Sequence, residues 1–124
     1  MSKAALDHFG EFLIQQVRDQ SIVHWEMILS GQMKGERSQK LRELLSQCSQ
    51  EDLRMFQSLL PEIADTVLHY LLQGFDEVED EIKITVDTGS EQVASLSEAS
   101  DGLAGELYTE EGWIARFSEY TPGN

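Results

Sequence analysis

The sequence predicts an α+β fold, in which an N-terminal bundle of four to five helices packs against a small C-terminal antiparallel sheet of two to three strands. Residues 1–75 carry apolar side chains at three- and four-residue spacing, which is typical of amphipathic helices. Beyond residue 76, short alternating stretches separated by glycine-containing turns are typical of strands. Because two or three strands alone bury too little surface to be stable, we expect one domain over 1–124, with a helical part (1–75) and an acidic, β-containing part (76–124).

The first 47 residues predict three helices. The first covers 4–18 and the second 21–29, and the pattern leaves open whether the second continues the first. Gly10 lies inside the first helix, where the missing side chain would allow another helix to approach closely. Gly31 is typical of the residue that follows a helix, so the second helix should end there. A third helix is predicted over 37–47.

The central helix, 59–75, has the broadest apolar stripe, and we expect neighbouring elements to pack on it. A capping box formed by Ser49 and Asp52 predicts a separate helix before it, which should end near Leu60 because the residue before a proline avoids the α region. Gly74 can supply the left-handed residue that ends the central helix. The apolar stripe consists of Leu60, Ile63, Ala64, Val67, Leu68, Leu71, Leu72 and Phe75.

Several short segments are predicted in the acidic part. Residues 82–86 alternate as a strand and 87–90 form a turn, whereas 91–99 could be a strand or a helical turn. The pattern of 107–117 predicts a β-hairpin, with Trp113, Ala115 and Phe117 on one face of its second arm. The tail, 121–124, is expected to be loose.

Charge is the strongest global feature, with a formal net charge of −14. Residues 1–75 carry 10 acids and 7 bases, and residues 76–124 carry 13 acids and 2 bases. Phosphate backbones would repel such a chain, so we expect no direct nucleic-acid binding. A protein partner is expected, and the charge would attract a basic one; an acidic surface that only keeps the protein soluble is the alternative interpretation of the charge. The chain shows neither the features of a signal peptide nor an apolar run of membrane-spanning length, and its single cysteine, Cys48, suits a reducing compartment. We therefore expect a cytoplasmic protein without membrane contact.

Three polar residues on one side of the central helix form a candidate polar site. Asp65 and His69 are four residues apart and Glu62 is one turn earlier, so their side chains can meet. A carboxylate that holds an imidazole occurs in general bases and around metal sites, but the sequence proposes neither a nucleophile nor a metal beside it. A structural hydrogen-bonded pair is the alternative.

No metal or cofactor site is predicted. His8 and His24 lie outside the spacings of helical zinc or di-metal sites, and the sixth residue of the acidic run that begins at Asp76 is Glu81, where a calcium loop needs glycine. The sequence also lacks the glycine-rich loops that bind phosphate.

A candidate interface is predicted on the hairpin, where Tyr108, Trp113 and Phe117 would form an aromatic surface flanked by acids if that face is exposed. Core positions for these aromatic residues are the alternative interpretation.

Two segments, 65–72 (DTVLHYLL) and 101–118 (DGLAGELYTEEGWIARFS), resemble segments of a family of small uncharacterised bacterial proteins of unknown function. This resemblance implies a bacterial, cytosolic origin and assigns no activity or functional residue.

Three hypotheses about function follow. The leading one is a non-enzymatic protein-binding or regulatory module, for example an immunity-type protein that neutralises a toxin through its acidic part. The second is a small enzyme or metal-binding protein that uses Asp65 and His69 in a cleft between helix and sheet. The third is a homodimer formed through surplus apolar surface such as Ile14 or Met55. Whatever the function, a central stripe that forms the core predicts that Leu68→Ala destabilises the fold by about 2–5 kcal/mol.

Overall fold

A computed structural model describes the backbone of residues 2–120 and the side chains of 3–120, so the expectation of a loose tail at 121–124 lies outside the described residues. The chain begins with one uninterrupted helical stretch that changes geometry twice. An α-helix, α1 (Ser2–Phe12), leads into a π-helical segment (Leu13–Asp19), and α2 (Gln20–Leu29) follows without a break. The second predicted helix is therefore a continuation of the first, and the π segment lies at the junction that the sequence left undecided.

The helix that follows is short and loosely attached. Gly31 has the positive φ of 78° that ends α2, as predicted, and α3 (Glu36–Leu45) begins one residue before and ends two residues before the predicted bounds. Within the described chain, α3 contacts mainly α2.

One long helix, α4 (Gln50–Glu77), replaces the two helices predicted around Pro61. The capping box is present, since Ser49 Oγ accepts from the Asp52 amide and the Asp52 carboxylate accepts from the Ser49 amide, both at 3.1 Å. The predicted break before Pro61 is wrong. Proline removes one backbone hydrogen bond, but helical residues on both sides of it extend the same helix, and Gly74 lies inside the helix rather than ending it.

The β-structure is smaller than predicted, and its first strand begins four residues later than expected. Val86–Asp87 (β1) pairs antiparallel with Gln92–Val93 (β2), with Val86 opposite Val93, and these strands form one two-stranded sheet in the described residues. The strand predicted over 82–86 thus overlaps β1 by one residue, and 91–99 contains the short β2 followed by turns.

The predicted hairpin over 107–117 is wrong. A 3-10 helix (Leu103–Leu107) is followed by a tight turn and by the short helix α5 (Trp113–Phe117). A Cβ at Gly112 would lie 1.9 Å from the Tyr108 carbonyl oxygen, so only glycine allows the chain to fold back this tightly. Glycine at the bend therefore serves a helix start and not a strand reversal.

The core lies between α1, the π segment, one side of α4 and the segments after residue 86. Trp113 is fully buried at its centre, and its ring lies against Gly10, where a Cβ would be 2.5 Å from the ring carbons. The close approach expected at Gly10 is confirmed, with α5 as the approaching element. The buried core residues are Ala5, Leu6, Leu13, Ile14, Leu68, Leu72, Val86, Leu96, Leu103, Leu107 and Trp113.

Three of the eight residues in the apolar stripe on α4, namely Leu68, Leu72 and Phe75, belong to this core or pack against it. Leu68 and Leu72 are buried, whereas Ile63 and Val67 are 57% and 63% exposed. Neighbouring elements do pack on this stripe, but the C-terminal segments pack on one side of α4 and leave the other side exposed. Among residues 2–120, no helix has the combination of length and hydrophobicity that crossing a membrane requires.

Candidate functional site

The three residues of the predicted polar site do not meet. The Asp65 carboxylate is bound by Arg18, with 2.6 Å between Oδ1 and Nε and 3.4 Å between Oδ2 and Nη2. His69 Nδ1 is 2.9 Å from the Tyr108 hydroxyl, and Glu62 is exposed. Because Asp65 is held by Arg18, its side chain contributes to an ion pair rather than orienting the imidazole.

Arg18 is the centre of a buried ion-pair network that the sequence did not predict. Its guanidinium contacts Asp19 at 3.1 Å and Ser118 Oγ at 3.2 Å, in addition to Asp65. Burial by itself would lower the pKa of Arg18, but the hydrogen bonds and charges of Asp65 and Asp19 outweigh burial and raise the pKa above its ordinary value. Arg18 is therefore charged at every physiological pH, and two carboxylates compensate its charge.

Asp19 binds residues 118–120, the last described residues of the chain, to this network. Its carboxylate accepts hydrogen bonds from the Ser118 hydroxyl at 2.9 Å and from the Glu119 and Tyr120 amides at 2.6 and 3.2 Å. Arg18 and Asp19 are adjacent in sequence, and both are buried. Since a π-helical turn takes more residues than an α-turn, it alters which side chains face inward, and π segments occur often at functional sites. Here the π segment carries the contact with the C-terminal residues.

Tyr120 extends the network to α2. Its hydroxyl donates to the Glu26 carboxylate at 2.7 Å, and burial together with this hydrogen bond raises the pKa of Tyr120 to about 12. The network therefore joins the π segment, α2 and α4 to residues 118–120. Because the polar atoms of the network bind mostly each other, the network stabilises the packing of these elements against residues 118–120.

The sequence did contain a signal for this network. Ile14, Arg18 and Ile22 recur at four-residue spacing, so Arg18 occupies an inward-facing position between two fully buried isoleucines. A charged residue in such a position requires a buried partner. The partners, Asp65 and Ser118, are 47 and 100 residues away, and no local pattern identifies residues at such distances.

The three aromatic residues of the predicted interface do not form one exposed surface. Trp113 is 0% exposed and belongs to the core, which is the alternative interpretation considered above. Phe117 is half-buried against the core, and only Tyr108 is exposed. Burial, and to a smaller extent the charge of Asp65, raises the pKa of the Tyr108 hydroxyl, so at neutral pH it is protonated beside His69.

The most prominent surface feature is an apolar groove between α4 and the continuous helix that contains the π segment and α2. It has a volume of about 480 Å³ and is bordered by exposed apolar side chains of α2 and α4, with Leu45 of α3 at one end. Arg18 is its one charged lining residue, and that charge is already compensated by Asp19 and Asp65. The groove lining is Val17, Arg18, Ser21, Ile22, Trp25, Leu29, Leu45, Phe56, Leu59, Leu60, Ile63, Ala64, Val67 and Leu68.

The chemistry of this groove is that of a docking surface. A monomer rarely leaves a large contiguous apolar patch open to water, and such patches mark protein contacts or ligand grooves. Within the described residues, no group of three or more His, Cys, Asp or Glu side chains is placed to hold a metal ion. The groove thus offers shape and hydrophobicity and presents almost no polar group to orient a small substrate.

Comparison with known proteins adds no relative to this description: no protein-family model, no curated protein and no solved structure matches the chain.

Proposed function

We propose that this protein is a non-enzymatic protein-binding module, with the apolar groove between α2 and α4 as its docking surface. The observation that carries the proposal is the exposure of Ile63 and Val67, at 57% and 63%, on the rim of a groove of about 480 Å³. Covering this surface would remove a large apolar area from water, which is the main driving force of protein association. The binding surface thus differs from the hairpin that the sequence suggested.

The ion-pair network favours a binding module over an enzyme. The Asp65 carboxylate is engaged by Arg18, which withdraws it from any role as the partner of His69. A general base needs an orienting group and a substrate cavity within hydrogen-bond reach, and the groove lies on apolar residues instead. Asp65, the carboxylate that would orient His69 in an enzyme, instead joins α4 to the π segment through Arg18.

The net charge of −14 supports a separate contribution to binding. A basic partner would be attracted over a long range, and its association would weaken as salt screens the charges. A partner held by the apolar groove alone would bind equally well or better at high salt. The sign of the salt dependence therefore distinguishes charge-driven from groove-driven binding.

The test is a comparison of cysteine labelling in cells and in dilute solution. In a Cys48→Ser background, Val67→Cys places a thiol on the rim of the groove, and Ile82→Cys places a matched thiol at a residue that is 53% exposed elsewhere. We expect both thiols to react rapidly with a maleimide in dilute purified protein. In cells that express the protein naturally, the thiol at position 67 should react more slowly because a polypeptide covers the groove.

The matched thiol at position 82 controls for differences in reagent concentration between the two settings. If the ratio of the two labelling rates is the same in cells and in dilute solution, no protein covers the groove and the proposed function is wrong.

A further inference from the structure

We infer that the polypeptide which covers the groove is a second copy of this chain. This inference rests on the proposed docking surface and names its occupant. The two copies meet in a two-fold symmetric dimer, in which the α4 helices lie antiparallel and cross near Ile63, while α2 of each copy forms the outer wall. Four observations on the described residues support this arrangement.

The first observation is that the outward side of α4 carries no charge between Asp52 and Glu77. The charged residues within this stretch project from other sides of the helix according to its 3.6-residue period. They are Arg54, Glu62, Asp65 and Asp76. In a chain with 23 acids, an uncharged surface of this length offers a basic partner nothing to neutralise. It suits an uncharged surface, such as the same side of another copy.

The second observation is the spacing along this side of α4. Phe56, Ile63 and Tyr70 recur at intervals of seven residues, with Leu59 and Val67 between them, so they form an apolar seam separate from the buried one. Heptad spacing of this kind is typical of helices that pack along one another. When two such helices run antiparallel about Ile63, Phe56 lies opposite Tyr70 and Leu59 lies opposite Val67.

The third observation is that the available area matches that of a stable dimer. The exposed parts of eight apolar side chains, which line the groove or belong to exposed positions of α4 beside it in sequence, amount to roughly 800 Å² per copy. This is about what one partner contributes to a standard protein interface. These side chains belong to Trp25, Met55, Phe56, Leu59, Ile63, Val67, Tyr70 and Leu71.

The fourth observation concerns shape and charge distribution. A two-fold interface uses the same surface on both copies, so that surface must supply both protruding side chains and a depression, as the rim and the groove do here. The segments after residue 86 pack on the opposite side of α4. Their acids therefore remain far apart when the outward sides of two copies meet.

The decisive experiment is sedimentation equilibrium of the full chain with a matched pair of variants. We expect the wild-type protein to dimerise at micromolar concentrations and Ile63→Glu to raise the dimer dissociation constant by at least about 100-fold, because two carboxylates would be buried without partners. Ile82→Glu adds the same charge at a residue of similar exposure outside the groove and should leave the dissociation constant unchanged.

Salt provides a second measurement with a predicted sign. Each copy carries a net charge of −14, so added salt should screen the repulsion between copies and tighten the dimer. Tryptophan fluorescence can follow this, because Trp113 is fully buried in the monomer and a change that depends on protein concentration reports Trp25 in the groove. Weaker dimers at high salt would overturn the inference.

A cross-link tests the symmetry without disturbing the fold. Ile63→Cys in the Cys48→Ser background places two thiols at the two-fold axis. When diamide is added as the two-electron oxidant, they should form a disulfide-linked dimer while diamide is reduced to its hydrazine, and Ile82→Cys should remain without a disulfide under the same conditions. Equal cross-linking of both variants would contradict the proposed axis.

The outcomes separate this inference from the proposed function. A wild-type chain that stays monomeric at about 100 μM, a concentration at which specific dimers form, overturns the second copy as occupant. If the thiol at position 67 is nevertheless protected in cells, another protein occupies the groove and the proposed function stands. A dimer that Ile63→Glu leaves intact overturns the inference as well, because its interface would lie elsewhere.

Discussion

The two sides of α4 present the same kind of amino acids in different surroundings. On the inner side, Leu68 and Leu72 are buried against the π segment and the 3-10 helix. On the outer side, Ile63 and Val67 belong to the same predicted stripe but are more than half exposed. The comparison teaches that a wide apolar stripe on a helix does not by itself show which of its residues the same chain covers.

Polar atoms distinguish the two sides further. The inner side includes Asp65, which is bound by Arg18, and Asp76, whose Oδ2 accepts a hydrogen bond from the Leu103 amide at 2.9 Å. Buried polar groups are destabilising unless partners satisfy them, so these contacts specify one packing arrangement. The outer side lacks charged groups and relies on shape alone.

Truncating one aliphatic side chain on each side of α4 should test the comparison most clearly. Leu72→Ala removes a fully buried side chain from the core, and we expect a loss of about 2–5 kcal/mol in the free energy of unfolding. Val67→Ala removes a side chain from the exposed rim and should change stability by less than about 0.5 kcal/mol at dilutions where the chain is monomeric. Urea denaturation followed by tryptophan fluorescence measures both.

Leu68→Ala provides an internal check, because Leu68 is buried and also lines the groove. Its predicted cost of about 2–5 kcal/mol should persist at all protein concentrations. Equal costs for Leu72→Ala and Val67→Ala in the monomer would mean that the two sides of α4 are equally covered, and the contrast would be lost.

Gly10→Ala tests the packing of α1 against Trp113 on the inner side of the molecule. The new Cβ would lie 2.5 Å from the Trp113 ring, which is fully enclosed and cannot move without displacing α5. Overpacking of this kind costs typically about 1–3 kcal/mol, although alanine favours the helix more than glycine does. Thermal unfolding measures the loss, and Gly74→Ala, where a Cβ meets nothing within 4 Å, is the matched control. A Gly10→Ala protein as stable as that control would contradict the close contact with Trp113.

The features that the sequence predicted well are local. The capping box at Ser49, the helix end at Gly31 and the close approach at Gly10 depend on one or two residues and their immediate neighbours. The α+β class with mostly helical content also followed from the change in periodicity near residue 76. Each of these rests on backbone preferences that operate within a few residues.

The wrong predictions concern competition between local preference and distant contacts. Pro61 favours a helix end locally, but the helix continues through it. The stretch 107–117 alternates like a hairpin, yet burial of Trp113 against Gly10, more than 100 residues earlier, accompanies a short helix. The Arg18 network has the same character, because its partners lie 47 and 100 residues away. Short-range patterns do not contain such contacts.

A smaller effect than that of the core variants is expected at Tyr120, which contacts α2 through Glu26. Its hydroxyl donates to Glu26 at 2.7 Å, and its pKa in the folded protein is raised to about 12 by burial and by this hydrogen bond. The unfolded chain titrates near 10, so the folded state favours the protonated form. The stabilisation is therefore complete below pH 10 and is lost as the pH rises toward 12.

Tyr120→Phe should cost only about 1 kcal/mol at neutral pH, because it removes one hydrogen bond and keeps the ring. Absorbance at 295 nm during an alkaline titration should show a last tyrosine transition near 12 in the wild-type protein, and that transition should be absent from Tyr120→Phe. Tyr108→Phe should retain it, since Tyr108 does not contact Glu26. If the last transition persists in Tyr120→Phe, residues 118–120 do not close onto α2, and the inner side of the molecule is more open than its geometry indicates. Loss of the last transition in Tyr120→Phe would confirm that residues 118–120 contact α2 through the hydrogen bond between Tyr120 and Glu26.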